Sequence, residues 1–541
     1  MASKAMPLRL GPFTGGLSTY SDASTIGETD CAYLNNFDID LNGSLVSRPP
    51  ITKVAQNVTA GNSDQRILGQ YTTSAGVSYI MLATNNKLTT NYLIAYNIAT
   101  NTYAIVTSGI TVKFTAMVKY LTKAYFICDP GAAYTGAGGW WDGTTWTNVV
   151  AMAHGVSACI YKERIFVAYG KDSANPGRVS FSGPSGTIET WNAGADFFDA
   201  NNGDGQPIVK VYGYNGTVAI FKTNSTYNFA YDSQPVKGQV QTVSSTIGID
   251  GGDCLTESEN VVYVMHNSRL YGITNWSWEH LNIKVPFAYT NSHTGLSNRN
   301  VSVSMIGSRV VCRYYDTLYV YGSKTRVFTT WSPNTSLAPD FWVRSPIKDV
   351  ISGVYTYFAG NYLTDLSVAS QDYIFKFKDT YTSIDAESML CEFRSKIYDT
   401  ISYTSRSKSY VIKMPYTYKR LLWWGVDLLA NSVVNASVLP VAYGVPVKWL
   451  DITSRNLTWL SRRQYTWGNP LILSIRVDDV ADIKNLTGIR TFVRYVKSLR
   501  YRQIQFILKS TVDGSTNSGP FSIFSIIAFV SNKETVNTKV S

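Results

Sequence analysis

The sequence predicts an all-β protein: a β-propeller of about seven blades followed by a C-terminal antiparallel β-sandwich. Three observations predict it. Short runs rich in Tyr, Phe, Val and Ile recur at roughly 45-residue spacing between Arg66 and Asp385, as blades of a propeller do. No window of about 12 residues carries a convincing 3.6-residue apolar period, so helices are not expected. Beyond Asp385 the runs lengthen and the charge changes. The 541 residues are 45% hydrophobic and 16% charged, enough to bury more than one core. The expected domains are residues 1–65, 66–385 and 386–541.

The lead, residues 1–65, opens on Leu8–Leu17, which sets Leu8, Leu10, Phe13 and Leu17 among Gly11, Pro12, Gly15 and Gly16. So many breakers forbid regular structure and a core of its own. An extended arm is expected, ordered by packing on the propeller or on a neighbouring subunit, which makes those four apolar residues candidate interface residues. Phe37, Ile39 and Leu41 then alternate with Asp38 and Asp40. Asn42-Gly43 turns the chain, Leu45-Val46 returns, and Arg48-Pro49-Pro50 ends the pairing. Asp38, Asp40 and Asn42 match the start of a calcium loop, but the twelfth position is Pro49 instead of the bidentate Glu, so a hairpin is expected and no metal. Asp199–Asp204 reads as a polar turn on the same grounds.

Blade-like units begin near Ile67, Phe114, Val156, Val209, Cys254, Val301 and Val350. Their second strands read as Ser78–Leu82, Lys123–Ile127, Arg164–Ala168, Thr217–Phe221, Asn260–Met265, Arg309–Arg313 and Tyr355–Ala359. The clearest local signal is Asn215-Gly216 between Ile208–Tyr214 and Thr217–Thr223, a hairpin that needs φ > 0 at both turn residues. With Val179–Ser182 and Thr226–Tyr231, these runs read as one small sheet carrying the polar loop Ser185–Gln206. Asp142-Gly-Thr-Thr-Trp146 resembles the Asp-box of sialidase propellers, but it is one residue short and occurs once, so a type I′ hairpin is expected.

In the last third, Lys419–Leu429 and Ser432–Tyr443 read as two long strands around Ala430-Asn431. Arg502–Leu508 alternates, and Phe521–Val530 is a further strand. Residues 386–541 hold 21 Lys and Arg against 10 Asp and Glu, while residues 1–385 balance at 27 against 27, so the whole excess of +11 lies here. Arg490, Arg494, Lys497, Arg500 and Arg502 follow one another with Tyr495 and Tyr501 between them and no acid. Such a run suits nucleic acid or an acidic protein surface. Contact with acidic side chains of a neighbouring subunit is expected, and no specific nucleic acid. Trp423, Trp424, Trp449, Trp459 and Trp467 suit core and interface packing better than a sugar-stacking face, since adjacent Trp423 and Trp424 face opposite sides of a strand.

No set of residues announces catalysis. His154, His266, His280 and His293 lack metal-ligand spacing, and no nucleophile elbow or phosphate loop occurs. Glu387/Glu392 and Asp478/Asp479 are local carboxylate pairs that nothing places across a cleft. No cofactor is expected. Cys31, Cys128, Cys159, Cys254, Cys312 and Cys391 are scattered, which suggests reduced thiols and synthesis in a cytoplasm. Met1–Met6 starts no apolar segment, and Ile523–Val530 is far shorter than the roughly 20 residues of a membrane helix.

Two stretches resemble bacteriophage tail proteins built on a β-propeller. One consists of Arg178, Ser182, Trp191, Gly203-Asp204-Gly205, Ile208, Phe221-Lys222 and Tyr227. The other consists of Gly15, Gly16, Leu17, Asn36, Phe37, Asp40, Gly43, Ser44, Leu45, Arg48 and Pro49. The ending Arg-x-x-Gln-Phe-x-Leu … Gly-Pro-Phe-x-Ile is similar to the sandwich ending of the same family. The resemblance implies a structural virion protein near the distal end of the tail, of the minor-tail, tail-tip or nozzle kind. It implies a homo-oligomeric ring docked to other tail subunits, and no enzyme. The alternatives are a carbohydrate-binding protein that recognises host-surface glycans and a propeller glycosidase.

Overall fold

The computed structural model describes residues 6–48, 51–56, 65–84, 91–110, 113–129, 138–171, 173–287, 301–314, 317–332, 344–348, 355–362, 371–378, 389–395, 397, 401–405, 408–412, 419–430, 435–443, 474–476, 481–483, 490–501, 503–512 and 521–532. They form an all-β protein of several four-stranded antiparallel sheets and one larger mixed sheet. The chain divides into two units. One holds Ile51–Val320 and Thr335–Thr380, the other Met1–Pro50, Tyr321–Asn334 and Tyr381–Ser541.

In the first unit, five four-stranded sheets follow one another along the chain, and in each the strands pair in sequence order. They open with Gln65–Thr72, Phe114–Tyr120, Ser157–Tyr161, Ile208–Tyr214 and Leu255–Ser258. The strands Val301–Ile306, Arg309–Tyr314 and Thr317–Gly322 come next, side by side. The last sheet holds Arg344–Lys348, Tyr355–Tyr362 and Gln371–Lys378, and its fourth strand is Ile51–Gln56, which precedes all the others in the chain. The opening strands pack on one another from the first sheet to the fourth, Leu255–Ser258 packs on Val301–Ile306, that strand on Arg344–Lys348, and Arg344–Lys348 on Gln65–Thr72.

The second strand of each sheet explains this packing. Lys123–Cys128 and Thr217–Lys222 are buried at every position but the first, so both faces of those strands are apolar contacts. A strand buried on both faces reads as a continuous apolar run. Each sheet therefore needs a neighbour on either side, and the cores lie between sheets. Phe166, Val179 and Phe181 of the third meet Val211, Ile220 and Phe229 of the fourth. Tyr357 and Ile374 of the last meet Ile67, Ile80 and Leu82 of the first.

Tight turns link the strands. Asn215 and Gly216 take φ of 49° and 69°, as the hairpin reading requires. Lys162-Glu163, Glu259-Asn260, Asn267-Ser268 and Asn275-Trp276 also place both residues at positive φ, without glycine. The Asp142–Thr145 turn differs from the expected type I′. Trp141 pairs with Trp146, four residues lie between them, and of these Gly143 takes positive φ. Asp142 Oδ1 stabilises this wider turn by accepting the amides of Thr144 and Thr145, each at 2.8 Å. The runs read as one sheet around Asn215-Gly216 are split: Arg178–Phe181 belongs to the third sheet and the rest to the fourth.

In the second unit, Phe521–Asn532 pairs along one edge with Lys419–Ala430 and along the other with Leu45–Ser47 and Met6–Leu10. Lys419–Ala430 pairs in turn with Arg490–Tyr501. The mixed sheet runs through Phe328–Trp331, Asp30–Asn35, Met389–Ser395, Gln503–Val512 and Asn435–Tyr443. The strands expected to pair around Ala430-Asn431 thus lie in different sheets. The arm is also corrected. Met6–Leu10 is a strand of this unit, paired from Met6↔Val530 to Leu10↔Ile526. Leu10, Phe13 and Leu17 are 1%, 3% and 3% exposed, and Phe13 packs edge-on to Phe393 at 5.1 Å. These three fill the chain's own core, which leaves them no surface to offer a neighbour. Leu8 lies in the same strand, opposite Ala528.

Gly216→Ala is expected to cost about 1 kcal/mol in urea unfolding, because a Cβ there meets nothing within 4 Å and the whole penalty is the left-handed backbone. Removing residues 1–17 is expected to lower the melting transition of the second unit by about 10 °C, since it deletes a paired strand and three buried side chains. An unchanged calorimetric transition would contradict that role.

Candidate functional site

The residues singled out by sequence cluster around two buried cations. Lys222 ends the second strand of the fourth sheet, where the burial of that strand carries its side chain inside, 0% exposed. Its Nζ donates to Asn201 O at 2.9 Å and Asp204 Oδ1 at 2.8 Å. Tyr227 Oη donates to Asp204 Oδ2 at 3.1 Å and accepts from Asn201 Nδ2 at 3.0 Å. The loop can supply these groups because Asn201 and Gly205 both sit in the left-handed region, at φ 51° and 65°. Burial by itself would raise the Asp204 carboxyl. The Lys222 ammonium, the Gln206 amide and the Tyr227 hydroxyl outweigh it and hold it below the usual carboxylate range. Nearby, Arg178 pairs with Asp199 at 3.1 Å and lies 3.7 Å from the Phe197 ring centre. Ser182 Oγ accepts the Ile165 amide at 2.9 Å.

The second cation is Arg48, also 0% exposed, in the other unit. Its Nε donates to Asn36 Oδ1 at 2.9 Å and its Nη2 to Ser332 O at 3.1 Å. Asn36, at φ 57°, also accepts the Ser332 amide on Oδ1 at 2.9 Å. Sequence reading saw in Arg48 the end of a hairpin and missed the buried guanidinium, because Ser332 is 284 residues away and no local pattern announces it.

The metal-like loops are spent on structure. Phe37–Ile39 pairs with Leu45–Ser47, and Asp40 Oδ1 accepts the amides of Asn42 and Ser44 at 2.9 and 2.8 Å. Asp199 and Asp204 face Arg178 and Lys222. Among the described residues no group of three His, Cys, Asp or Glu is placed to hold a metal ion. His280 meets Asn282 Oδ1 at 2.9 Å, and Glu392 pairs with Arg394 at 2.8 Å. All six cysteines are buried and free, and burial pushes the Cys159 thiol up to about 12.

Arg490, Arg494, Lys497 and Arg500 come together on the strand Arg490–Tyr501, at the end of its sheet. Arg502, Trp449, Trp459, Trp467, His293, Glu387, Asp478 and Asp479 lie outside the described residues.

Two features had no sequence signal. Arg66, in the first sheet, pairs with Asp253, just before the fifth, at 2.7 Å. Beside them Lys210 donates to Gly252 O at 2.7 Å, and burial holds its ammonium below the ordinary value. The other feature is a pocket of about 240 Å³ at the third sheet. Its walls come from the segment before that sheet, from its third strand and from the loops on either side of that strand. Trp191, Tyr169, His154 and Asp196 line it.

No family model matches the chain, and neither does any curated protein. Partial likeness to solved structures exists. The extracellular domain of a putative hybrid two-component system from B. thetaiotaomicron aligns at 10% identity and TM-score 0.38, over 62% of this chain and 41% of that one. The Neurospora crassa Pan2 WD40 domain aligns at 7% and 0.37, over 62% and 97%. The AfRom2 CNH domain aligns at 10% and 0.35, over 61% and 99%. No function follows from likeness this distant.

Asp204→Ala is expected to cost about 3–5 kcal/mol in denaturant unfolding at pH 7, because it strands the buried Lys222 ammonium. The carboxyl is depressed in the folded state, so its contribution is present above the ordinary carboxylate value and disappears as pH falls through the folded value. Asp204→Asn should therefore lose less stability than the parent between pH 7 and pH 3. Equal losses would show that Asp204 carries no such linkage.

Proposed function

We propose that the chain is a seven-bladed β-propeller joined to a β-sandwich, and that it is a structural subunit of a bacteriophage tail at or near the distal end. The observation that carries this reading is the pair of buried cations. Arg48 and Lys222 fall on the positions by which the sequence resembles tail propeller proteins, and their bonds tie distant segments into rigid units. The polar groups drawn into them are matched donor to acceptor, as a scaffold requires. The closing of the last sheet of the first unit by Ile51–Gln56, the earliest strand of that unit, supports a ring of seven blades. The subunit is made in the host cytoplasm, joins the virion, and has no catalytic activity of its own.

The basic strand Arg490–Tyr501 supports docking to other tail subunits. It ends its sheet, and among the described residues Lys419–Ala430 is its one strand partner. Arg and Lys on an edge strand oppose indiscriminate pairing and favour an acidic partner. In this reading copies of the chain form a ring whose basic edges meet acidic neighbours, without gripping DNA.

Antibody raised against the purified chain and imaged on virions is expected to label the distal tail. Arg494→Glu with Arg500→Glu is expected to fold normally yet be absent from particles. Labelling of the capsid, or complete infectious tails that lack the chain, would refute the reading. Normal assembly with abnormal DNA ejection would refute the docking role of the strand.

A further inference from the structure

We propose that the pocket at the third sheet binds one neutral saccharide ring. The proposal is independent of the tail reading and rests on the pocket's shape, its charge and its unused hydrogen-bonding capacity. Its volume of about 240 Å³ gives room for one small polar ring.

The polar groups around it are incompletely satisfied. Tyr169 Oη accepts from Ser180 Oγ at 3.0 Å, which leaves its own proton to donate. Asp196 Oδ2 accepts the Asn192 amide at 3.1 Å, and Oδ1 has no protein partner among the described residues. Asn192 Oδ1 accepts the Gly194 amide at 3.1 Å, which leaves two protons on Nδ2. His154 Nδ1 lies 3.4 Å from Asp129 O, and Nε2 has no partner among the described residues. The Trp191 indole packs against the core of the second and third sheets and lines the pocket. Its Nε1 is shielded from solvent, so the ring presents carbon surface and no donor.

One aromatic wall with interspersed donors and acceptors suits a ring of C–H and O–H groups, since each hydroxyl both donates and accepts. Other ligand classes fit less well. Among the described residues no Lys or Arg lines the pocket, so a phosphate or carboxylate would meet Asp196 without a counter-charge. A quaternary ammonium would use the carboxylate and the aromatics but would leave the Tyr169 and Asn192 donors unanswered.

The site is also preformed. Its loop is held by Gly183 N to Thr190 O at 2.9 Å, Thr190 N to Thr187 O at 2.9 Å and Asp196 N to Asn192 O at 2.7 Å. Binding therefore need not order the loop, which spares the entropy a flexible one would lose.

The test titrates the full chain with methyl glycosides of neutral hexoses and N-acetylhexosamines, followed by saturation-transfer NMR and tryptophan fluorescence. Choline and inorganic phosphate serve as the rival probes. Binding of at least one glycoside is expected with a Kd of about 1 mM, the strength of a small contact surface. Asp196→Asn keeps an acceptor for the Asn192 amide and should fold as the parent, yet weaken binding about tenfold; Tyr169→Phe should weaken it about fivefold. Unchanged melting curves would separate these effects from folding. No glycoside binding at about 50 mM, glycoside binding indifferent to both variants, or binding of choline or phosphate instead would each overturn the proposal.

Discussion

The architecture depends on strands that are apolar on both faces. In the first unit the second strand of a sheet, such as Lys123–Cys128 or Thr217–Lys222, cannot leave either face in water. A two-layer sandwich would cover one face of each sheet. Repeated side-by-side packing covers both, and the core becomes a series of clusters between consecutive sheets. A further cluster joins residues of the last sheet to residues of the first. Loops are left at the sheet ends, and one of them, between the last two strands of the third sheet, forms part of the wall of the pocket.

Burying a cation in such a scaffold is costly unless its bonds are supplied. Lys222 and Arg48 show how the chain supplies them. Both are served by side chains and carbonyls from segments with left-handed residues, Asn201 and Gly205 in one unit and Asn36 in the other. The backbone there is bent so that carbonyl and carboxamide oxygens face inward. The same chemistry disposes of the calcium-like loops, whose carboxylates are engaged by amides, Arg178 and Lys222. At the pocket the accounting is left open, with Asp196 Oδ1 and the Tyr169 proton unused among the described residues. That contrast separates a structural polar cluster from a candidate binding site.

The second unit is built from both ends of the chain. Phe521–Asn532, near the C-terminus, is hydrogen-bonded to Met6–Leu10 and to Leu45–Ser47. Breakers at Gly11, Pro12, Gly15 and Gly16 do interrupt the lead, yet a strand precedes them because a distant strand offers it a partner. Sequence-local reasoning treats such a segment as an arm. Its burial against Phe393 makes it core.

By itself the sequence determined what depends on near neighbours. The repeat spacing located the opening strands near Phe114, Val156, Val209, Cys254 and Val301, and the apolar runs located the second strands, because alternation and turn chemistry are written within a few residues. The Asn215-Gly216 turn was legible for the same reason: its side chains define the permitted backbone. Tertiary structure decided what depends on partners far away in the chain. It assigned Ile51–Gln56 to the last sheet, sent Lys419–Ala430 and Asn435–Tyr443 to different sheets, buried Arg48 beneath Ser332, and brought Asp196 and Tyr169 to one pocket. A strand's hydrogen-bonding edge is the same whatever its sequence, so its partner is selected by side-chain packing across the whole fold, and no local pattern records that choice.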